Sequence, residues 1–328
     1  MISPLKEQLA EIERIRESRV ILYHIQGQKH MPKPMDDEDV LPLYHALRQL
    51  GGISRLDLAL YASGGSIVVA HKLAHLLHAY APEVNVLVPY KARSSATLLC
   101  LAANEIVMGP LAELSPLDPH LGSAIEGTAG SPLMISAEEL RAFRGMAQDW
   151  FGVTGEEDAI PMLTLVAQRI FPTSLSAFYR ADHQMRHIAS DLLKYQLGDT
   201  DEHQRQRIID YLVAGYQGHD YCISSSEAAR LGLRARPTSP EEDDVLWKLW
   251  QTCSEALRSQ NNVQDATQSG PQGALTTGII ASTDLQFHYV VRSEIHPQTV
   301  VAPGANNSPG PHTSLIQDGA WQRVFERV

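Results

Sequence analysis

Two short turns in the first third of the chain carry residue types that could stabilise a negatively charged oxygen. In the first turn, Gly64 and Gly65 follow an apolar run and precede a helical pattern that begins near Ser66. Because glycine adopts backbone angles closed to other residues, N–H groups of this turn could point into a cleft and bind an anion or an oxyanion. Taken alone, the same residues fit a plain strand-to-helix turn equally well, with Ser66 as the helix N-cap.

The second turn places a serine pair, Ser94 and Ser95, at the start of another predicted helix. A serine there has its hydroxyl beside free N–H groups and the positive end of the helix dipole, which would stabilise charge developing on a bound carbonyl. An isolated serine in this position is more often an N-cap than a nucleophile. The two turns together favour chemistry, because adjacent parallel strands bring their C-terminal ends into one crevice.

The elements that must position these turns alternate between strand and helix. Apolar runs predict buried strands, and the amphipathic or apolar segments between them predict helices. We expect strands at residues 19–25, 55–62, 84–89 and 105–109, and helices at residues 4–16, 39–50, 66–80 and 95–103. This order implies parallel strands joined by right-handed crossovers.

The remainder of the chain divides by composition. Residues 136–260 have a mainly helical pattern, whereas residues 261–328 are rich in Gln, Asn, Gly, Pro, Ser and Thr, apart from one strand-like run at 285–295. We therefore predict an N-terminal helix over residues 1–18, a main domain over residues 19–260, and a low-complexity tail with one strand.

Charge and cysteine content exclude several classes of protein. The net charge of −11 comes without a dense run of Lys or Arg, which argues against nucleic acid or an anionic membrane as the main partner and favours a peptide or small molecule. The three cysteines are widely spaced and odd in number, so neither a disulfide framework nor a zinc knuckle is indicated. The N-terminal residues are charged throughout and no apolar run could span a bilayer, so we expect a cytoplasmic protein.

A family resemblance rests on these same motifs. The order of strand, Ser-Gly-Gly turn, helix and strand, followed by A-R-S-S-A-T-L-L-C-L-A-A-N-E-I-V-M-G at residues 92–109, resembles the ClpP/crotonase superfamily. The chain is most similar to the serine dehydrogenase proteinase family, a group of ClpP-class serine peptidases related to signal peptide peptidase A. The similarity covers about residues 19–122, together with a later segment at residues 218–233.

The resemblance implies a fold, an activity and an assembly. The expected fold is an α/β spiral of repeated β-β-α units with a helical C-terminal portion. The expected activity is hydrolysis of peptide bonds in a peptide or protein substrate, without a cofactor. Members of the superfamily assemble as trimers or larger rings, so a homo-oligomer is expected. The apolar residues Leu246, Trp247 and Trp250 of the helical portion fit packing either within the domain or between subunits.

The resemblance also implies residue roles. Ser94 stands at the family's spacing before the run Leu-Ala-Ala-Asn at residues 101–104, which makes Ser94 the nucleophile and Ser95 the alternative. The family's oxyanion hole maps onto the N–H groups of Gly65 and Ser95.

The general base is less well defined by the sequence. The only lysines after Ser94 are Lys194 and Lys248, and neither has the spacing of the lysine used by peptidases of the signal peptide peptidase type. His120 stands close to where Clp-type peptidases carry a histidine, and a neutral imidazole there could accept the Ser94 proton. The Asp118–Pro119–His120 segment fits a loop of the substrate groove equally well. No orienting carboxylate is assigned, although Asp118, Asp158, Asp182 and Asp191 are candidates.

Two other functions remain open at this point. A crotonase-type enzyme could use the same two N–H groups to hold the enolate of an acyl-coenzyme A thioester, although it would not need a serine at the helix start. An inactive oligomeric scaffold could retain a peptide-binding groove, which the absence of the expected lysine supports.

Histidines on one predicted helix have a spacing that can bind a metal. His71, His75 and His78 stand at positions i, i+4 and i+7, and His183 and His187 repeat the i, i+4 spacing on a later helix. Neither set includes an HExxH arrangement, so surface faces are the expected interpretation and no metal ligand is assigned.

Overall fold

The computed structural model describes residues 4–26, 33–118, 120–126, 132–168, 170–198, 201–216, 218–259, 270–299 and 311–324. Its helices are α1 (Pro4–Arg16), α2 (Val40–Leu50), α3 (Ile67–Tyr80), α4 (Ser95–Cys100), α5 (Ala137–Phe151), α6 (Ala159–Ala167), α7 (Pro172–Leu197), α8 (Glu202–Ala214), α9 (Ser225–Leu231) and α10 (Pro240–Ser259). Its strands are β1 (Arg19–Ile25), β2 (Arg55–Tyr61), β3 (Glu83–Val88), β4 (Lys91–Ala92), β5 (Glu105–Met108), β6 (Glu113–Leu114), β7 (His120–Glu126), β8 (Pro132–Ser136), β9 (Ala235–Pro237), β10 (Gly270–Ala281), β11 (Gln286–Thr299) and β12 (Pro311–Val324).

Eight of these strands form one mixed sheet. Their order is β12-β11-β10-β1-β2-β3-β5-β9, in which β1, β2, β3, β5 and β9 run parallel and β10 to β12 continue antiparallel from β1. Two small sheets are separate from it, a parallel pair of β4 with β6 and an antiparallel pair of β7 with β8.

The architecture confirms the predicted α/β class. Each strand and helix predicted in the first 109 residues is present, with small differences at the ends. After β3 the chain enters β4 of the small sheet and then α4, and after β5 it enters β6, which pairs with β4. This arrangement agrees with repeated β-β-α units.

Both faces of the main sheet are covered. One face packs against α2, α3, α4, α7 and α8, and the other packs against α1 and α10. In β2, Leu56, Leu58 and Leu60 belong to the first core and Ala59 to the second, because successive side chains of a strand point to opposite faces. Burial on both faces explains why this strand reads as a nearly continuous apolar run.

The C-terminal segment differs from the sequence prediction. The sequence predicts one strand, at residues 285–295, whereas the structure has three, β10, β11 and β12. Strand β10 pairs antiparallel with β1 and buries Leu275, Ile279, Ile280 and Ala281. The composition of this segment is typical of turns, and the strand partner of β10, β1, lies far away in sequence, so no local pattern predicts β10.

The two tryptophans of α10 pack within the chain. Trp247 stacks on Trp250 at a centroid distance of 4.6 Å, and Trp250 contacts Tyr90 at 5.2 Å and Tyr61 at 6.1 Å. Leu246 is buried in the core between α10 and the sheet. Leu246 is therefore not available for a subunit contact, whereas Trp247 and Trp250 are only partly buried. A subunit contact at the two tryptophans and the oligomer itself remain predictions.

A buried ionic network joins α1, β2 and α10. The Arg16 guanidinium donates to Asp57 Oδ2 at 2.8 Å and to Glu242 Oε1 at 2.7 Å, and Ser18 Oγ donates to Asp57 at 2.8 Å. Arg236 donates two further hydrogen bonds to Glu242, each of 2.8 Å. Since Glu242 has only 7% of its side chain exposed, loss of its charge would leave two guanidinium groups without full compensation.

We expect this network to make the fold sensitive to acid. Hydrogen bonds from Arg236 and Arg16 and from the Ser239 N–H lower the pKa of Glu242 from 4.5 to about 2, although burial opposes the shift. Because the pKa of Glu242 is lower in the folded state, its charge stabilises the fold above pH 4.5, and this stabilisation is lost as the pH falls towards 2. About 2 kcal/mol of the free energy of unfolding should be lost between pH 5 and pH 3. Urea unfolding at the two pH values should therefore show a larger loss for wild type than for Glu242→Gln.

Glu241→Gln is the matched control, because Glu241 is exposed on the same helical turn. Its pH dependence should match that of wild type. Equal losses in wild type and Glu242→Gln would contradict the assignment.

Within the described residues, no helix has both the length and the apolar character needed to cross a bilayer.

Candidate active site

The first glycine turn lies at the C-terminal end of β2. Gly64 and Gly65 have φ values of 116° and 150°, and Ser66 then caps α3 by accepting a hydrogen bond from the Val69 N–H at 3.3 Å. Met35 pairs with this turn, since its N–H donates to Gly64 O at 2.9 Å and its carbonyl accepts from the Ser66 N–H at 2.8 Å. The pairing does not use the Gly65 N–H, which is the group predicted to bind an oxyanion.

Ser94 occupies a strained turn between β4 and α4. Its φ of 54° and ψ of −119° are unusual for a residue with a side chain and cost about 1–3 kcal/mol. The Ser94 hydroxyl does not cap α4. In α/β-hydrolases, a sharp and strained strand-to-helix turn carries the nucleophilic serine.

A buried hydroxyl network holds the strained backbone. The Ser94 N–H donates to Ser115 Oγ at 2.7 Å, and the Ser115 hydroxyl donates to Pro116 O at 3.1 Å. Thr97 Oγ1 accepts from the Ser115 N–H at 2.9 Å and donates to Ala92 O at 2.7 Å. Both side chains are fully buried. Sequence reasoning missed Ser115 and Thr97, because serine and threonine next to turns are common and no local pattern marks this contact.

The two turns are hydrogen-bonded to each other. The Ala62 N–H donates to Lys91 O and the Arg93 N–H donates to Ala62 O, both at 3.0 Å. As a result Gly64 abuts the second turn so closely that a Cβ built on it would lie 2.7 Å from Ser94 Cβ and 3.2 Å from Ser94 Oγ. The structure therefore brings the Gly64–Gly65 turn and Ser94 into one site, as parallel pairing of β2 with β3 predicts.

The two serines of the second turn differ in exposure. Ser95 is 1% exposed, and its hydroxyl faces the Met35 sulfur at 3.9 Å. Ser94, by contrast, is partly exposed. Ser95 is the first residue of α4, and an N–H at that position has no carbonyl partner within its own helix.

The candidates for base and orienting acid are dispersed. His120 begins β7, opposite Ser136 of β8, but its side chain lies outside the described residues. Asp118 is buried and accepts from the Glu138 N–H at 3.2 Å. Lys194 pairs with Asp191 at 3.3 Å, and Lys248 is exposed on α10.

The remaining two carboxylates also have described partners. Asp182 forms ion pairs with Arg141 at 2.8 Å and Arg186 at 3.0 Å, and Asp158 accepts from the Gly155 N–H at 3.3 Å. Neither contact involves Ser94.

Charged groups flank Ser94 on the β4 side. Arg93 donates to Asp220 Oδ1 at 3.1 Å, and the Lys91 ammonium lies 3.4 Å from Glu113 Oε1. Cys222 Sγ donates to Glu113 Oε2 at 2.8 Å, and this hydrogen bond raises the thiol pKa above its ordinary value. The thiol thus stays protonated at neutral pH, which makes Cys222 a poor competitor for the nucleophile's role.

Comparison with known proteins identifies relatives of this chain. Residues 2–133 match the family model described as ClpP-like SDH-type serine proteinase. Two uncharacterised proteins of Methanocaldococcus jannaschii are similar: MJ0137 is 29% identical over 66% of this chain and 64% of its own length, and MJ1495 is 26% identical over 74% and 75%. The match thus spans just under two thirds of MJ0137.

Solved structures of low similarity include two mutants of the 1510-N membrane-bound stomatin-specific protease, the second in complex with a substrate peptide. Both are 13% identical to this chain. The first covers 70% of this chain and 84% of its own with a TM-score of 0.42, and the second covers 68% and 75% with a TM-score of 0.40. These scores are too low to support an argument about function.

Proposed function

We propose that this chain is a serine peptidase that cleaves peptide bonds through an acyl-enzyme on Ser94, since its residues 2–133 match the family model described as ClpP-like SDH-type serine proteinase. The strained backbone of Ser94, placed against the Gly64–Gly65 turn, is the observation that carries this proposal. A fold maintains such strain where the surrounding contacts support it, and these positions cluster at active sites.

In the proposed reaction, Ser94 Oγ attacks the substrate carbonyl carbon as a base removes the hydroxyl proton. The carbonyl oxygen becomes an oxyanion, which accepts hydrogen bonds from the N–H groups of Gly65 and Ser95. Collapse of this intermediate expels the amine, which takes up the proton. Water then hydrolyses the ester on Ser94 by the same steps and restores the hydroxyl.

The two proposed oxyanion donors are supported by different features. The Gly65 N–H takes no part in the pairing with Met35, and the Ser95 N–H lies at the positive end of the α4 dipole. Ser115 acts as a positioning residue, because its hydroxyl accepts the hydrogen bond of the Ser94 N–H in this strained conformation.

A fluorophosphonate probe tests the proposal, because it reacts covalently with an activated serine hydroxyl. Wild-type protein should acquire one adduct, which mass spectrometry of proteolytic fragments should locate on Ser94, and heat-unfolded protein should acquire none. Absence of an adduct on folded protein would contradict the peptidase and favour the thioester enzyme or the inactive scaffold. An adduct on Ser95 would move the nucleophile by one residue.

His120 is the proposed general base, as the resemblance implies. A protonated imidazole cannot accept a proton, so the rate of acylation should rise with pH through the range in which histidine titrates. His120→Gln should lower this rate at least about a hundredfold, the usual scale for loss of a general base. Stopped-flow acylation between pH 5 and 8 measures both effects, with His183→Gln on the exposed face of α7 as control. An unchanged rate in His120→Gln would eliminate this base.

We also propose that the chain assembles with copies of itself through the apolar face of α6. None of the side chains described in this helix is buried, and Ile160 and Leu163 are 74% and 62% exposed. Apolar surface of this kind usually marks an interaction site. Sedimentation at micromolar concentration should show an oligomer for wild type and a shift towards monomer for Leu163→Glu. A monomeric wild type would contradict the assembly, and an unchanged oligomer in Leu163→Glu would place the contact elsewhere.

A further inference from the structure

Helices α3 and α7 pack side by side and bring together three metal-binding side chains. His71 and His75 lie one turn apart on α3, and Asp191 lies on α7. His78 is not part of the group, because its Nε2 lies 2.8 Å from Ala102 O and its ring stacks on Tyr195. The third potential ligand beside His71 and His75 is therefore a carboxylate from another helix, and not the third histidine of α3.

The three potential ligand atoms form a small triangle. Nε2 of His71 lies 2.9 Å from Nε2 of His75 and 2.9 Å from Asp191 Oδ2, and Nε2 of His75 lies 3.2 Å from the same oxygen. Two ligands held at about 2.0–2.1 Å from one Zn²⁺ lie roughly 2.8–3.4 Å apart when the bond angle is between about 90° and 109°. The observed separations therefore match one face of a coordination polyhedron.

Hydrogen bonds cannot satisfy all three sides of this triangle. Each imidazole Nε2 carries at most one hydrogen, and the carboxylate oxygen only accepts. If both nitrogens carry hydrogen and donate to Asp191, then the two N–H groups face each other across 2.9 Å. If one nitrogen lacks hydrogen, then its lone pair faces the carboxylate. A cation at the centre removes this conflict, because all three atoms would direct lone pairs towards it.

Neighbouring side chains orient the same three groups. The Nδ1 atom of His75 lies 3.0 Å from the Tyr195 hydroxyl, and the Lys194 ammonium lies 3.3 Å from Asp191 Oδ1, the carboxylate oxygen that the triangle does not use. Second contacts of this type fix the orientation of the ligand side chains in metal sites.

We propose that His71, His75 and Asp191 bind a divalent transition-metal ion, and that Zn²⁺ is the best fit to two imidazoles and one carboxylate. The side chains are partly exposed, so water completes the coordination. The ion ties α3, which begins directly after the Gly64–Gly65 turn, to the long helix α7. Bound metal consequently stabilises the packing of the helical portion on the sheet domain.

Metal titration of chelator-treated full-length protein tests the site. Co²⁺ serves as the visible probe and Zn²⁺ as the competitor, and one equivalent of Co²⁺ should bind and be displaced by Zn²⁺. Asp191→Asn and His71→Ala should each weaken Co²⁺ binding at least about a hundredfold, because each removes one of three ligands. Tyr195→Phe should weaken it by about 10–100-fold, since it removes only the hydroxyl that orients His75.

His183→Ala and His187→Ala are the matched controls. These residues repeat the i, i+4 spacing on an exposed face of α7, and they should leave the one-equivalent site intact. Thermal unfolding without metal verifies that each variant folds, and added Zn²⁺ should raise the midpoint for wild type and both controls but not for Asp191→Asn. Absence of Co²⁺ binding, or binding that survives Asp191→Asn unchanged, would overturn the proposal.

Discussion

Ser94→Ala is expected to abolish fluorophosphonate labelling and to lower peptidase activity at least about a thousandfold. The substitution removes the attacking oxygen, whereas the N–H groups of Gly65 and Ser95 remain and can still hold a substrate carbonyl. Because the hydroxyl does not cap α4, its loss should not weaken the helix. Steady-state hydrolysis of a casein-type protein or a fluorogenic peptide library measures the change.

Ser95→Ala is the control for this prediction. Its hydroxyl is buried against the Met35 sulfur, and the backbone N–H that we assign to the oxyanion hole is unaffected by the substitution. We expect its activity to stay within about tenfold of wild type. Loss of an oxyanion donor would lower activity by more than this, and Ser95→Ala retains the donor. Loss of labelling in Ser95→Ala with retention in Ser94→Ala would reverse the assignment of the nucleophile.

Gly65→Ala is expected to lower activity at least about a hundredfold, the scale for loss of one oxyanion donor. A Cβ at this position would lie 2.3 Å from Met35 O and 2.4 Å from Met35 N, and both are backbone atoms that cannot rotate away. The φ of 150° also disfavours any side chain. The turn must therefore move, and the Gly65 N–H moves with it.

Gly52→Ala is the control, because a Cβ there meets no atom within 4 Å. Thermal unfolding distinguishes a displaced turn from a collapsed fold. If Gly65→Ala folds with a midpoint near that of wild type and keeps full activity, then the glycine turn has no part in catalysis.

The sheet domain could be predicted from sequence because its signal is local. Strand β2 buries all but its first residue and reads as an apolar run, and α2 shows an amphipathic pattern that buries Leu43 and Leu47. Each segment has its own spacing of apolar residues, which reflects the face that it buries. The period of this spacing therefore predicts whether the segment is a strand or a helix. The parallel order follows from the alternation of strand and helix.

The strands of the tail could not be predicted in this way. Residues Leu275 to Ala281 are buried in a strand, β10, whose residues Gly278 to Ala281 pair with β1, about 250 residues earlier in sequence. Trp247 and Trp250 fit packing within the chain or between subunits, and only the structure shows that both contact aromatic residues of the same chain, Tyr90 and, for Trp250, Tyr61.

The sequence by itself determined the α/β class, the glycine turn and the serine pair, because residue type and spacing act over a few neighbouring positions. The tertiary structure alone decided which groups meet: Ser115 reaches the Ser94 N–H, Met35 pairs with the Gly65 turn, and Asp191 completes the pair of His71 and His75. Each of these contacts joins residues that are distant along the chain. The packing of whole elements sets such contacts, and no local pattern encodes them.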